Sequence, residues 1–329
     1  MNTQKLFLFI AIFLTVFLLW DKWELTQSVD ENGNVITQTQ LVTNNSSKEI
    51  TDVPLPSDVP TAELQVSEDS TPAIYEPSNS GAYTTVVTDL LTLQISHKGG
   101  TIISALLNAY PESLNSEERF ELLSNSPDRI FHAQSGLIPA DQMPTHQDEY
   151  TSEREEYFLG SNNELTVPLK WTDNNGVTVT KNFHFKPDSY VIEVDYQIDN
   201  NSSSDRVVSS YTQLAHGASQ ESGGFMMGMQ NFNGGAIYND EEIFEKIDFE
   251  DFDSSPKTTS IGGWAAMIQH YFFSAWIPNE KEKHTYSTKS SRDNFLLTTV
   301  NPSSRIAAGS SVNIGKNQLF NGPKEHVRL

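Results

Sequence analysis

The stretch YVIEVDYQID at residues 190–199 has the two-residue period of a β-strand that is buried on one face. From residue 192 onward, apolar Ile192, Val194, Tyr196 and Ile198 alternate with polar Glu193, Asp195, Gln197 and Asp199. Successive side chains of a strand point to opposite faces of the sheet. The alternation therefore predicts an antiparallel strand with one face in water.

Two runs of the same kind lie just upstream, at 165–171 and 177–185, on either side of the sequence DNNG at 173–176. The Asn175-Gly176 pair supplies the positive φ angles that a tight turn between two strands needs. This arrangement predicts a β-hairpin.

Short β-rich runs broken by turn residues recur after Gly81, at 84–95, 101–107, 206–214, 264–277, 295–300 and 311–319. Many strands at short spacing with few helical patterns predict a mostly β protein, built as a large β-sandwich. The acidic and aromatic segment DEEIFEKIDFEDFD at 240–253 fits a short helix or a strand edge equally well. The glycine- and methionine-rich stretch 217–235 fits an adaptable apolar contact surface or a loop over the core.

The composition excludes several function classes. The 329 residues include 21 Lys and Arg, 43 Asp and Glu, and no Cys, for a formal net charge of −22. The lack of Cys excludes disulfides, thiolate catalysis and zinc–cysteine sites. Nucleic-acid binding is not expected, because it depends on clustered Lys and Arg. The same negative charge repels anionic lipid headgroups, so the domain is expected to stand off the membrane surface.

The sequence contains no recognisable catalytic or metal-binding motif. None of the eight His residues has the H-x-H or H-x-x-x-H spacing that brings two ligands onto one face. His184 falls on the polar side of its predicted strand, as an exposed histidine would. Acidic pairs such as Glu155-Glu156 are typical of a solvated surface in so acidic a chain, although paired carboxylates also serve acid–base chemistry. We therefore predict a protein that is not an enzyme and that needs no cofactor or metal.

The chain opens with an apolar run, LFLFIAIFLTVFLLW at 6–20. As a helix the run is roughly 22 Å long, against about 30 Å for the bilayer core. Lys5 before Leu6, together with Trp20 and Trp23 behind the run, extends the spanning unit to about 28 Å by anchoring it in both headgroup layers. Bulky and charged residues follow where a signal peptidase needs small ones, so we predict a retained transmembrane anchor at 5–23.

The remaining boundaries follow from charge and composition. Residues 1–4 are predicted to lie in the cytoplasm, because Lys5 and the amino terminus outweigh Lys22. Residues 24–80 are rich in Thr, Ser, Asn, Pro and acids without any period, which predicts a disordered linker. The folded domain is then predicted at 81–329, on the periplasmic side in a bacterium.

The most distinctive segment is GGWAAMIQHYFFSAWIP at 262–278. By its structural role alone, this segment reads as a central core strand with a glycine bend at its start. It also resembles the YidC family of bacterial membrane protein insertases, in the large periplasmic domain of the Gram-negative members. The residues that carry this signature are Gly262, Gly263, Trp264, Gln269, Tyr271, Phe272, Trp276 and Pro278. The resemblance extends in order through His97–Gly100, Ala109–Pro111, Ala133–Leu137, Asn163–Leu165 and Phe320–Pro323.

This resemblance implies a β-supersandwich similar to galactose-mutarotase-like domains, preceded by one N-terminal transmembrane helix. It implies a component of a membrane protein insertase and chaperone in the cell inner membrane. The implied partners are the Sec translocon with its accessory complex and nascent inner-membrane proteins. Insertion in the family belongs to further transmembrane helices, which are absent up to Leu329, so a fragment with the anchor and the periplasmic domain is expected.

The resemblance also locates a contact with the Sec accessory complex, along a stretch that matches roughly 227–277. Within it we predict that Tyr238, Phe244, Phe249 and Phe252 form the contact, and that serine at 244 and 249 weakens association without unfolding the domain. Two other functions stay open. One is a membrane-anchored periplasmic carbohydrate-binding or mutarotase-like protein, suggested by fold analogy alone. The other is a passive interaction scaffold tethered to the membrane.

Overall fold

The computed structural model describes residues 82–139, 143–217, 234–239, 244–255, 257–269, 271–291 and 294–324. These residues form two large β-sheets and one short 3-10 helix, Phe249–Asp251. The strands are β1 Tyr83–Val87, β2 Leu91–Ser96, β3 Thr101–Pro111, β4 Arg119–Ser126, β5 Arg129–Ile138, β6 Thr151–Ser152, β7 Glu156–Phe158, β8 Leu165–Thr172, β9 Val177–Phe185, β10 Val191–Asn200, β11 Arg206–Gly217, β12 Gly234–Tyr238, β13 Glu245–Asp248, β14 Thr258–Ile261, β15 Trp264–Ile268, β16 Phe272–Ile277, β17 Lys283–Ser291, β18 Asn294–Val300, β19 Ser304–Ile306 and β20 Ser310–Pro323. The mostly β fold predicted from the sequence is confirmed.

The larger sheet has eleven strands in the order β14-β17-β18-β11-β5-β4-β3-β2-β1-β7, with β19 paired to β11. The smaller sheet has nine, in the order β13-β12-β15-β16-β20-β10-β9-β8-β6. All pairings are antiparallel except that of β1 with β7. Both sheets are built largely from hairpins, which suits a chain of short strands with frequent turns.

The main hydrophobic core lies between the two sheets. Leu93 and Phe131 enter it from the larger sheet, and Val194 and Trp276 enter it from the smaller one. The indole Nε1 of Trp276 also donates to the carbonyl oxygen of Gln213 across the interface, at 3.2 Å. Facing inner surfaces that interdigitate in this way are what a β-sandwich requires.

The hairpin predicted at 165–185 is confirmed. β8 and β9 pair from Leu165↔Phe185 to Thr172↔Thr178. The turn differs in one detail from the prediction, because among its described residues only Gly176 has a positive φ, at +92°. The side chain of Asp173 supplies the rest of the turn by accepting the amide hydrogens of Asn175 and Val177, at 2.8 and 2.7 Å.

Two of the predicted single strands are hairpins. The run 84–95 divides into β1 and β2, which pair from Tyr83↔Ser96 to Val87↔Thr92. The run 264–277 was expected to be one central strand and is instead β15 and β16, with Ala265 opposite Trp276. The chain reverses at its polar middle, where the amide of Gln269 donates to the carbonyl of Phe272, at 3.0 Å.

In the acidic segment 240–253, the described residues 244–253 contain β13, the last strand of the smaller sheet, and the 3-10 helix directly after it, while 240–243 lie outside the described residues. The predicted anchor 5–23, the linker 24–80 and nearly all of the stretch 217–235 lie outside the described residues. Within the described ranges, no helix is long and apolar enough to cross a bilayer.

Candidate partner-binding surface

An exposed group of aromatic side chains lies at the free end of the smaller sheet. The rings of Tyr238 and Trp264 are nearly parallel, with centroids 5.8 Å apart, and the ring of Phe244 lies 5.8 Å from that of Trp264. Tyr238 is 38% exposed and Phe244 is 45% exposed. We call Tyr238, Phe244 and Trp264 the aromatic patch.

The local fold explains why these rings share one face. Tyr238 ends β12 and stands directly opposite Trp264, the first residue of β15. Their side chains point outward because Ile237 and Ala265, their neighbours in sequence, enter the core between the sheets. Phe244 precedes β13, which pairs with β12 from the other side. The patch is therefore held by three adjacent strands.

Two of the four residues predicted to contact a partner face the other way. Phe252 is fully buried in the main core, and its backbone carbonyl accepts a hydrogen bond from the hydroxyl of Thr288, at 2.8 Å. Phe249 stacks on Phe295 with ring centroids 4.3 Å apart. The chain turns inward after β13, which brings both rings under the sheet. Phe252 therefore belongs to the core and Phe249 packs against it, whereas Tyr238 and Phe244 remain exposed.

Charged residues of both signs follow Phe244 in sequence. Asp248, Glu250, Asp251 and Asp253 are exposed. The ammonium of Lys246 lies 5.7 Å from the centre of the Phe244 ring. An exposed aromatic surface of this kind fits a partner that presents apolar side chains.

Comparison with known proteins identifies the family of this domain. A family model described as the YidC periplasmic domain matches residues 83–329. The chain belongs to the YidC periplasmic domain family.

Relatives support this membership along the whole chain. The membrane protein insertase YidC of Vesicomyosocius okutanii subsp. Calyptogena okutanii (strain HA) is 47% identical over 330 residues, which is 100% of this chain and 60% of that protein. The membrane protein insertase YidC of Aliivibrio salmonicida (strain LFI1238) is 33% identical, over 98% of this chain and 57% of its own length. The chain thus spans about three fifths of these YidC relatives.

Among solved structures, the chain is similar to a galactose mutarotase related enzyme from Lactobacillus acidophilus. It has a TM-score of 0.48 and 9% sequence identity, and the match covers 75% of this chain and 100% of that one. A galactose mutarotase-like protein from Lactobacillus casei ATCC 334 has the same TM-score and 10% identity, over 72% of this chain.

The residues of the YidC signature do not form one site. Phe272 and Trp276 point into the main core, while Trp264 belongs to the patch. Gly262 and Gly263 form the bend before β15, and the hydroxyl of Tyr286 donates to the carbonyl of Gly262, at 2.6 Å. Tyr271 lies at the β15–β16 turn and is 67% exposed, unlike the buried aromatic that the sequence predicts. Gln269 lies at the same turn, and Pro278 is buried directly after β16.

Lys181 is a buried polar residue that no motif in the sequence singles out. It occupies an inward position of β9 between Val179 and Phe183 and is 0% exposed. Its ammonium donates to the carbonyl oxygens of Gly99, Gly100 and Ser135, at 2.8, 2.9 and 3.1 Å. Burial lowers the pKa of Lys181 to about 7. The sequence does contain a sign of this burial, because the alternation along β9 places Lys181 at an inward position between two apolar residues.

His184 belongs to a network on the outer face of the smaller sheet. Its Nε2 lies 2.8 Å from Asp195 Oδ2, and this hydrogen bond raises the pKa of His184 despite partial burial. Asp195 also accepts from the side-chain amides of Asn182 and Asn313, at 3.0 and 2.8 Å. Within the described ranges, no three His, Cys, Asp or Glu residues are placed to hold a metal ion.

Proposed function

We propose that this chain is the anchor and periplasmic part of a membrane protein insertase, which assists the insertion and folding of inner-membrane proteins. The observation that carries this proposal is the 47% identity to a protein named as that insertase, along the full length of the chain. In this proposal residues 1–4 are cytoplasmic, 5–23 span the inner membrane, 24–80 are a linker and 81–329 are periplasmic. The domain acts by binding rather than by catalysis, and nascent inner-membrane proteins are handled by further helices outside residues 1–329.

We propose further that the aromatic patch contacts the accessory complex of the Sec translocon. Its exposed apolar rings would lose water on binding, and burial of aromatic surface is a common source of interface energy. Exposed rings held by three strands are also largely ordered before binding, which limits the entropy lost in the complex.

The contact is tested by replacing Tyr238 and Phe244 with Ser in one variant. Both side chains lie at the surface, so we expect the domain to stay folded while co-purification of Sec accessory subunits from detergent-solubilised membranes falls about tenfold or more. Phe158→Ser is the matched control, because Phe158 is 59% exposed at the far edge of the larger sheet.

The proposed contact is wrong if the folded double variant recovers the same amount of Sec subunits as the wild type. It is also wrong if Phe158→Ser lowers recovery equally. Phe249→Ser is unsuitable as a surface variant. Its ring is partly buried against the core and stacks on Phe295, so its loss is expected to lower the free energy of unfolding by about 2 kcal/mol.

A further inference from the structure

The ammonium group of Lys181 occupies a site built from the rest of the sandwich. Its three acceptors come from two separate places in the larger sheet: Gly99 and Gly100 lie in the turn between β2 and β3, and Ser135 lies in the middle of β5. An ammonium has three hydrogens to donate, and here each has a carbonyl oxygen within hydrogen-bond distance. The side chain thus joins β9 of the smaller sheet to two elements of the larger one.

Aromatic rings complete the surroundings of this ammonium. Its nitrogen lies 5.3 Å from the centre of the Phe183 ring and 5.7 Å from that of Tyr196. The hydroxyl of Tyr196 donates to the hydroxyl oxygen of Ser135, at 3.0 Å, which fixes the ring beside the site. Carbonyl oxygens and ring faces are the neutral groups that attract a cation.

The ammonium group of Lys181 has no carboxylate partner among the described residues. No Asp or Glu of the described ranges forms an ion pair with Lys181. Gly100 also shapes the site, because a Cβ at this position would lie 2.9 Å from Lys181 Cδ. The turn therefore needs a residue without a side chain for the lysine to reach its acceptors. Burial disfavours the charged form, whereas the three carbonyl acceptors favour it.

We propose that the carbonyls of Gly99, Gly100 and Ser135, with the rings of Phe183 and Tyr196, form an alkylammonium-binding site that Lys181 fills from within the same chain. The site recognises a primary ammonium on an unbranched alkyl chain. Its occupation fastens the β2–β3 turn to the opposite sheet.

Chemical rescue tests the site in the detergent-solubilised full chain at pH 6, where free amines are protonated. Lys181→Ala removes the group that n-propylammonium reproduces. We expect a lower unfolding temperature for this variant, and a partial recovery that grows with the logarithm of the n-propylammonium concentration. Propanol has a similar chain without the charge and should give no recovery. Lys170→Ala is the control, because Lys170 is exposed on the neighbouring strand β8.

Two further measurements keep the test decisive if Lys181→Ala does not fold. Lys181→Met fills a similar volume without the charge, and we expect a lower unfolding temperature that n-propylammonium does not restore. In wild type with ¹⁵N-labelled lysine, NMR should detect one ammonium whose hydrogens exchange slowly with water, and Lys181→Met should lack it. The proposal is overturned if no lysine ammonium is protected, if Lys181→Met is as stable as wild type, or if propanol rescues Lys181→Ala as well as n-propylammonium does.

Discussion

Gly263 shows how a single residue positions the aromatic patch. Its φ is +92°, and a Cβ at this position would lie 2.2 Å from the carbonyl oxygen of Tyr238. We predict that Gly263→Ala lowers the free energy of unfolding by about 3 kcal/mol or more, because a backbone atom must move to relieve the overlap. Chemical denaturation measures this loss.

Gly309 provides the matched control for that substitution. Its φ is +72°, but no atom lies within 4 Å of the position a Cβ would take. Gly309→Ala should therefore cost only the left-handed backbone strain, about 1–2 kcal/mol. Equal losses in the two variants would show that the close approach to Tyr238 is not what requires glycine at 263.

Two histidines, His132 in the interior and His146 partly buried, make the stability of the domain depend on pH. Burial lowers the pKa of His132 and of His146 to about 4, from an ordinary value of 6.5. Between about pH 4 and pH 6.5 the unfolded chain binds more protons than the folded one, so the free energy of unfolding rises with pH in this range. On going from pH 7 to pH 5 we predict a loss of about 2 kcal/mol for each histidine.

Urea unfolding of wild type and His132→Gln at both pH values checks this. The variant should lose less stability on acidification, and an unchanged loss would contradict the assignment. His184 has the opposite sign, because its raised pKa makes its contribution full below pH 6.5 and lost as pH rises through the folded value. Its replacement should therefore not reduce the loss at pH 5.

The sequence correctly predicted which side chains of β10 point into the core. It did not predict that one side chain on the opposite face is also buried. Ile192, Val194 and Ile198 are buried as their spacing indicates. Asp195, expected in water, is only 8% exposed, since a shift in the pairing with β20 lies at this point and three side chains donate to it. Such bonds join residues far apart in sequence, and no local pattern reveals them.

Among the elements, the β8–β9 hairpin depends on a local carboxylate. Asp173 Oδ1 accepts two backbone amides of its own turn. We predict that Asp173→Ala lowers the free energy of unfolding by about 1 kcal/mol, because both amides lose this acceptor at a site open to water. Asp173→Asn keeps an acceptor oxygen and should retain most of the stability. Thermal unfolding compares the two, and equal losses would indicate that charge rather than the turn geometry matters.

The same hairpin was predictable from sequence because its pattern is local, with alternating strands and an Asn-Gly turn. β5 was not predicted, because its residues 131–137 are buried on both faces and therefore do not alternate. The β15–β16 hairpin was missed for a related reason. Its turn contains Tyr271, and an aromatic residue at this position suggests that the core strand continues. In the structure Tyr271 is 67% exposed.

For the whole molecule, local patterns gave the class of the fold but not the arrangement of the sheets. β10 pairs with β20, which joins Val191 to Phe320, and β11 pairs with β5. Pairings over such sequence distances depend on the complete core. The candidate surface was only partly predictable for the same reason. The acidic and aromatic segment 240–253 was evident in the sequence. The inward direction of Phe249 and Phe252 was not, because it depends on core residues far away in the chain.

Placement of the sandwich on the periplasmic side is the claim from which the proposed function follows. The chain has no Cys, so a single introduced Cys is the only thiol that a maleimide can label. Leu114 is 93% exposed in the sandwich, and Thr3 lies in the segment predicted to be cytoplasmic. In cells with a permeabilised outer membrane, a membrane-impermeant maleimide should label Leu114→Cys at once and Thr3→Cys only after the inner membrane is lysed. Labelling of Leu114→Cys only after lysis would contradict the proposed placement and, with it, the function as part of an insertase.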